Sequence, residues 1–182
     1  MNDALWWEVG AAGATAHWFG VRGSRYLRAG HYELAAAELA VAVSIEQKDP
    51  AFWLHYGTAL INLERFDEAV EALERALAAD RENKKKVSPA VIEPVLANLG
   101  VAHGRLGQLD VGINYLENAL TANPASIEAM NNLAVMYRSR GSLLYAIEVL
   151  KSSLALKQDS RLVRELAALS RKAGIANQAG GR

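Results

Sequence analysis

Residues 98–124, NLGVAHGRLGQLDVGINYLENALTANP, set small side chains at the places where two antiparallel helices joined by a tight turn need room to touch. A shift of 34 residues returns the same spacing: Gly100 becomes Ala134, Gly107 becomes Gly141 and Leu116 becomes Leu150. Gly23 and Gly57 stand the same distance apart, and from Gly57 to Gly100 the step is 43, one period plus nine residues. A period of this length marks a repeat array, whose units are too small to bury their own apolar faces and gain stability by stacking on neighbours. The expected product is an all-helical solenoid with one continuous core and a long open surface.

Several classes of function are disfavoured by what the 182 residues contain. Lys+Arg and Asp+Glu balance at 20 each, so no overall field draws the chain to nucleic acid, and no basic stripe stands out. Cysteine is absent, which removes disulfides, thiolate catalysis and cysteine zinc sites. His17, His31, His55 and His103 lack the spacing of a metal site, and the GAAGA run at Gly10 follows no strand, as a dinucleotide fingerprint would require. No run of 18 apolar residues spans a bilayer, and the first residues, with Asp3 and Glu8, do not read as a signal peptide. A cytoplasmic chain with no cofactor, no metal and no enzymatic activity is expected.

The repeated places resemble the tetratricopeptide repeat, whose 34-residue helix-turn-helix unit carries a small eighth residue, an aromatic or aliphatic eleventh, and alanine at the twentieth and twenty-seventh. Four units can be laid on residues 16–49, 50–83, 93–126 and 127–160, with an insertion at 84–92. The first places Gly23, Tyr26, Gly30, Ala35 and Ala42; the fourth places Ala134, Tyr137, Gly141 and Ala146, with Ser153 where alanine is usual. Gly20 and Gly23 each weaken the first helix by up to about 1 kcal/mol relative to alanine, so that helix must rely on packing. Glu64 stands where Gly30 does in the preceding unit and specifies its turn less strongly. The resemblance implies a right-handed α-solenoid of four helical pairs.

The flanks follow from local pattern. Residues 1–15 form an N-terminal segment with a short helix over residues 4–9, capped by Asp3 and loosened by Gly10 and Gly13. Lys84, Lys85 and Lys86 suit the end of a long helix, and Ser88 with Pro89 suits the start of the next, so the insertion lengthens helices without adding a domain. Residues 161–174 make a capping helix with Leu162, Leu166, Leu169 and Ala173 on one stripe, and residues 175–182 form a flexible tail.

In this family the first helix of each pair lines a concave groove, which implies a binding surface. Its sixth places are Val21, His55, Asn98 and Asn132; its ninth are Ser24, Thr58, Val101 and Val135. Asn131 falls at a fifth place, and Arg28, Asn62, Arg105 and Arg138 fall at the rim. The lysine and asparagine set by which some members clamp a terminal carboxylate is missing. A short asparagine ladder remains, and an amide can donate to and accept from an extended backbone at once. The resemblance therefore implies a non-enzymatic adaptor that holds a peptide or helix of another protein against His55, Thr58, Asn98, Val101, Arg105, Asn131, Asn132, Val135 and Arg138. An alternative is a self-assembling scaffold, a homo-oligomer in which Trp6 and Trp7 or the array ends meet another copy.

Overall fold

The computed structural model describes residues 5–82 and 89–175, and the side chains of residues 13–79 and 91–175. Among them are nine helices and no strand: α1 (Leu5–Arg28), α2 (Tyr32–Ile45), α3 (Pro50–Asn62), α4 (Phe66–Glu82), α5 (Pro89–Arg105), α6 (Leu109–Ala122), α7 (Ile127–Arg140), α8 (Leu143–Leu156) and α9 (Ser160–Lys172). Each odd-numbered helix up to α7 pairs with the helix that follows it, and α9 packs against α8.

One contact recurs in every pair. A small residue at the eighth place of each unit faces a leucine sixteen residues on, giving Gly23 with Leu39, Gly57 with Leu73, Gly100 with Leu116 and Ala134 with Leu150. At each glycine a Cβ atom would lie 2.6 Å from the leucine Cγ, closer than side chains can approach. All four leucines are fully buried or within 1 % of it. Each contributes about 1.5–3 kcal/mol by leaving water. The pair α5 and α6 is tightest, because Gly112 also meets the Gly100 carbonyl, 2.8 Å from where a Cβ would stand.

Local chemistry sets the helix ends. Asp49 caps α3, its carboxylate accepting from the Ala51 N–H at 2.8 Å, with Pro50 in the first turn where its missing N–H costs nothing. Ser126 caps α7 by accepting from the Ala129 N–H, and Asp159 caps α9 by accepting from Arg161 N–H at 2.8 Å. Gly30, Gly107 and Gly141 close the turns of the first, third and fourth pairs with φ of 79°, 81° and 85°. The second turn takes the same left-handed path through Glu64, at φ 59°. The glutamate thus does not loosen that turn; packing of the array imposes the backbone, at a cost that glycine avoids.

The start of the chain differs from the sequence expectation. Residues 5–28 form one uninterrupted helix rather than a short helix followed by a loose glycine segment. Packing explains it further along: the space over Gly20 is filled by the Phe52 ring and that over Gly23 by Leu39, so both glycines admit neighbours. Pro94 likewise lies inside α5, which already begins at Pro89. The two helices beside the insertion, α4 and α5, have 17 residues each, whereas α2, α3 and α6 to α9 have 13 or 14. Lys84, Lys85, Lys86 and Ser88 between them lie outside the described residues.

Two substitutions test this packing in opposite directions. Gly100→Ala is expected to lower stability by about 1–3 kcal/mol, since neither Leu116 nor the Gly112 backbone has room to give. Glu64→Gly is expected to raise it by up to about 1 kcal/mol by relieving a left-handed backbone. Thermal and urea unfolding followed by circular dichroism measure both, and an unchanged Gly100→Ala variant would refute the assigned α5–α6 contact.

Candidate functional site: the inner helix layer

The array bends, and its contacts say which way. Along the first four pairs the odd-numbered helices touch in succession, α1 with α3, α3 with α5 and α5 with α7, whereas α2, α4, α6 and α8 do not touch one another. Helices that approach more closely occupy the shorter arc, so α1, α3, α5 and α7 line the concave side. Neighbouring helices in such contact lie about 8–10 Å apart.

Two hydrogen bonds cross this layer. The Ser24 hydroxyl and His55 Nδ1 lie 2.9 Å apart, linking α1 to α3. Because the same hydroxyl donates to the Gly20 carbonyl at 2.8 Å, the imidazole Nδ1–H is the donor to Ser24 and Nε2 is left as an acceptor. The Asn98 amide then donates to Thr58 Oγ1 at 2.9 Å, linking α3 to α5, while Thr58 gives its own proton to the Leu54 carbonyl. A common rule underlies both: the ninth place of one unit meets the sixth place of the next.

That rule locates the free amide. Between α5 and α7 the ninth place is Val101, which can neither donate nor accept, so Asn132 makes no hydrogen bond among the described residues. Asn98 has one amide N–H engaged, with its carbonyl and second N–H free for a ligand. Asn131 faces elsewhere. Its carbonyl accepts from the fully buried Ser153 hydroxyl at 2.9 Å, an internal bond between α7 and α8. Val135, 38 % exposed, and half-buried Val101 give apolar surface between the polar groups.

The rim residues divide similarly. Arg138 is ion-paired with Glu165 of α9, while Arg28 and Arg105 have no carboxylate partner among the described residues. Trp6 and Trp7 belong to α1, but their side chains lie outside those described. Sequence reasoning assigned His55, Thr58 and Asn98 separately and missed that they and Ser24 form two linked rungs; the ninth-to-sixth spacing carried that signal. No group of three potential metal ligands occurs among the described residues, and no described helix is long and apolar enough to cross a membrane.

Comparison with known proteins bears on the fold that carries this surface. Residues 26–88 and 98–161 each match the tetratricopeptide repeat pattern. The chain belongs to the tetratricopeptide repeat family. It is 28 % identical over 137 residues to Protein KINESIN LIGHT CHAIN-RELATED 3 of Arabidopsis thaliana, covering 70 % of this chain and 21 % of that protein. It is also 28 % identical over 129 residues to a TPR repeat-containing protein of Methanocaldococcus jannaschii, covering 69 % and 21 %. The chain thus spans about a fifth of the length of these curated relatives. Among solved structures, the Cut9 and Hcn1 hetero-tetramer of the APC/C superposes with a TM-score of 0.79 at 22 % identity, covering 85 % of this chain and 30 % of that one. MamA superposes with a TM-score of 0.73 at 18 % identity, covering 90 % and 85 %. At these identities the likeness is one of fold. It places the chain among helical repeat solenoids.

The rung at His55 yields a titration. Burial is the main influence and pushes its pKa below 6.5; Arg28 acts the same way and Asp49 opposes them. The folded imidazole is therefore neutral at pH 7, and on acidification the unfolded chain takes up the proton first. This contribution to stability is complete above pH 6.5 and is lost as pH falls towards the lower folded value. Histidine NMR is expected to show a His55 midpoint below 6.5, and His55→Gln is expected to weaken the fall in melting temperature between neutral and acidic pH.

Proposed function

We propose that this chain is an adaptor without catalytic activity that holds a peptide or helical segment of another protein along the concave side of α1, α3, α5 and α7. The free amide of Asn132, one helix spacing from the partly free amide of Asn98, is the observation that carries the reading. Spacings of about 8–10 Å between helices match about three residues of extended peptide at 3.3 Å each. One amide would thus serve every third peptide residue, with Val101 and Val135 against the side chains between. His55, Thr58, Arg105 and Arg138 complete the surface, and Asn131 contributes from behind by holding Ser153. The compartment we assign is the cytoplasm.

The test is a double substitution. Asn98→Ala with Asn132→Ala is expected to weaken binding of a co-purified partner segment by about 1–3 kcal/mol, the usual cost of leaving buried peptide groups unpaired. Isothermal titration calorimetry measures it, with circular dichroism checking the fold. Unchanged affinity in a folded double variant would remove the groove from this reading.

A second reading, self-assembly through the array's first end, is favoured by one observation. Trp18 and Leu34, on the two helices of the first described pair, are 53 % and 51 % exposed. Trp6 and Trp7 belong to the same helix as Trp18. If that end joins copies, light scattering will give a larger mass for the intact chain than for one lacking residues 1–12; equal masses would refute it.

A further inference from the structure

The balanced net charge of this chain hides a segregation between its two layers. Among described side chains, α1, α3, α5 and α7 carry six Lys or Arg against two Asp or Glu, and α2, α4, α6 and α8 carry two against nine. The concave layer is basic and the convex layer acidic.

The basic groups are also concentrated at one edge. Arg25 and Arg28 lie in the last turn of α1, His103 and Arg105 in that of α5, Arg138 and Arg140 in that of α7, and Arg171 and Lys172 in that of α9. Cations do suit helix C-termini, where they oppose the negative end of the dipole. That rule alone would place them on both layers. Among helices whose last turn is described, α1, α5 and α7 of the concave layer carry such cations, whereas α3 and the convex α2, α6 and α8 carry none.

The acids of the inner layer do not neutralise this edge. Glu93 accepts a 2.6 Å hydrogen bond from Ser126 and Glu128 lies in the first turn of α7, both at the opposite ends of their helices. Glu165 is taken by Arg138, and Arg140 is held by Asp110 at 2.8 Å. Arg25, Arg28 and Arg105 remain without a carboxylate among the described residues.

Resting on the groove reading above, we infer that the segment held there is an acidic peptide of a separate protein, whose carboxylates lie along the edge formed by the C-terminal ends of α1, α5 and α7. Arg28 and Arg105 stand two helix spacings apart, about 16–20 Å, which an extended chain covers in five or six residues. Acidic residues at that interval would meet both arginines while the backbone faces Asn98 and Asn132. Such attraction at an exposed edge speeds association and weakens with salt.

The probes are three fluorescein-labelled peptides of about twelve residues, long enough for the span just given. All alternate valine with a second residue, which is Glu, Gln or Lys. Fluorescence anisotropy at low salt is expected to show the Glu peptide binding at least about tenfold tighter than the Gln peptide, with the difference shrinking at high salt. In the double variant Arg28→Glu with Arg105→Glu the preference for the Glu peptide over the Gln peptide should vanish. Both arginines are exposed, and circular dichroism confirms the fold. Equal binding of Glu and Gln peptides, both lost in Asn98→Ala with Asn132→Ala, would overturn the acidic partner and leave the groove reading standing. Binding untouched by either double variant, or none by the Glu peptide, would overturn both. Association of the chain with itself that disappears in the arginine variant would overturn the separate partner, showing that the acidic face of a second copy, with Asp67, Glu71 and Glu74 of α4, fills the site.

Discussion

The array depends on the close approach of two helices over one small residue. Gly23, Gly57, Gly100 and Ala134 let their helices come near enough for Leu39, Leu73, Leu116 and Leu150 to be sealed from water. Such a contact is local, linking residues sixteen apart, and it is made once per unit. No pair is stable alone, because its outer faces still need neighbours. Gly20 and Gly104 supply the next level: Phe52 of the second pair fills the space over Gly20, and Met136 of the fourth fills that over Gly104. The glycines that would weaken an isolated helix are the sites where one unit receives another.

Curvature follows from the same contacts and creates the functional surface. Since inner helices touch and outer ones do not, the sixth and ninth places of neighbouring units face one another across a gap that a hydrogen bond can bridge. Where both places are polar, as with Ser24 and His55 or Thr58 and Asn98, the array uses them to bind its own units together. Where the ninth place is Val101, the facing Asn132 has no such partner. Internal stitching and outward recognition draw on the same positions, and the residue opposite decides between them.

The first and last described helices are built differently from the middle of the array. At the last pair, α9 places Leu169 in the core and turns Arg161, Arg164, Arg171 and Lys172 away from it. At the first pair, the Arg22 guanidinium sits 3.9 Å over the Trp18 ring and pairs with Glu38, a charge-assisted contact that ties α1 to α2.

What the sequence determined alone was the periodic part. The spacing of small and aromatic residues specifies helix pairs because each contact lies within one unit, and caps such as Asp49, Ser126 and Asp159 act within a single turn. The resemblance to the repeat family supplied the expected concave places, because a repeat's places carry over from unit to unit. Tertiary structure decided the rest. It made α1 one helix across Gly10 and Gly13, and it drove Glu64 into a left-handed backbone that its side chain does not favour. It also engaged Asn131 with Ser153 and left Asn132 free. Each of these outcomes depends on a neighbouring helix, and no residue announces which side chain a separate helix will set against it.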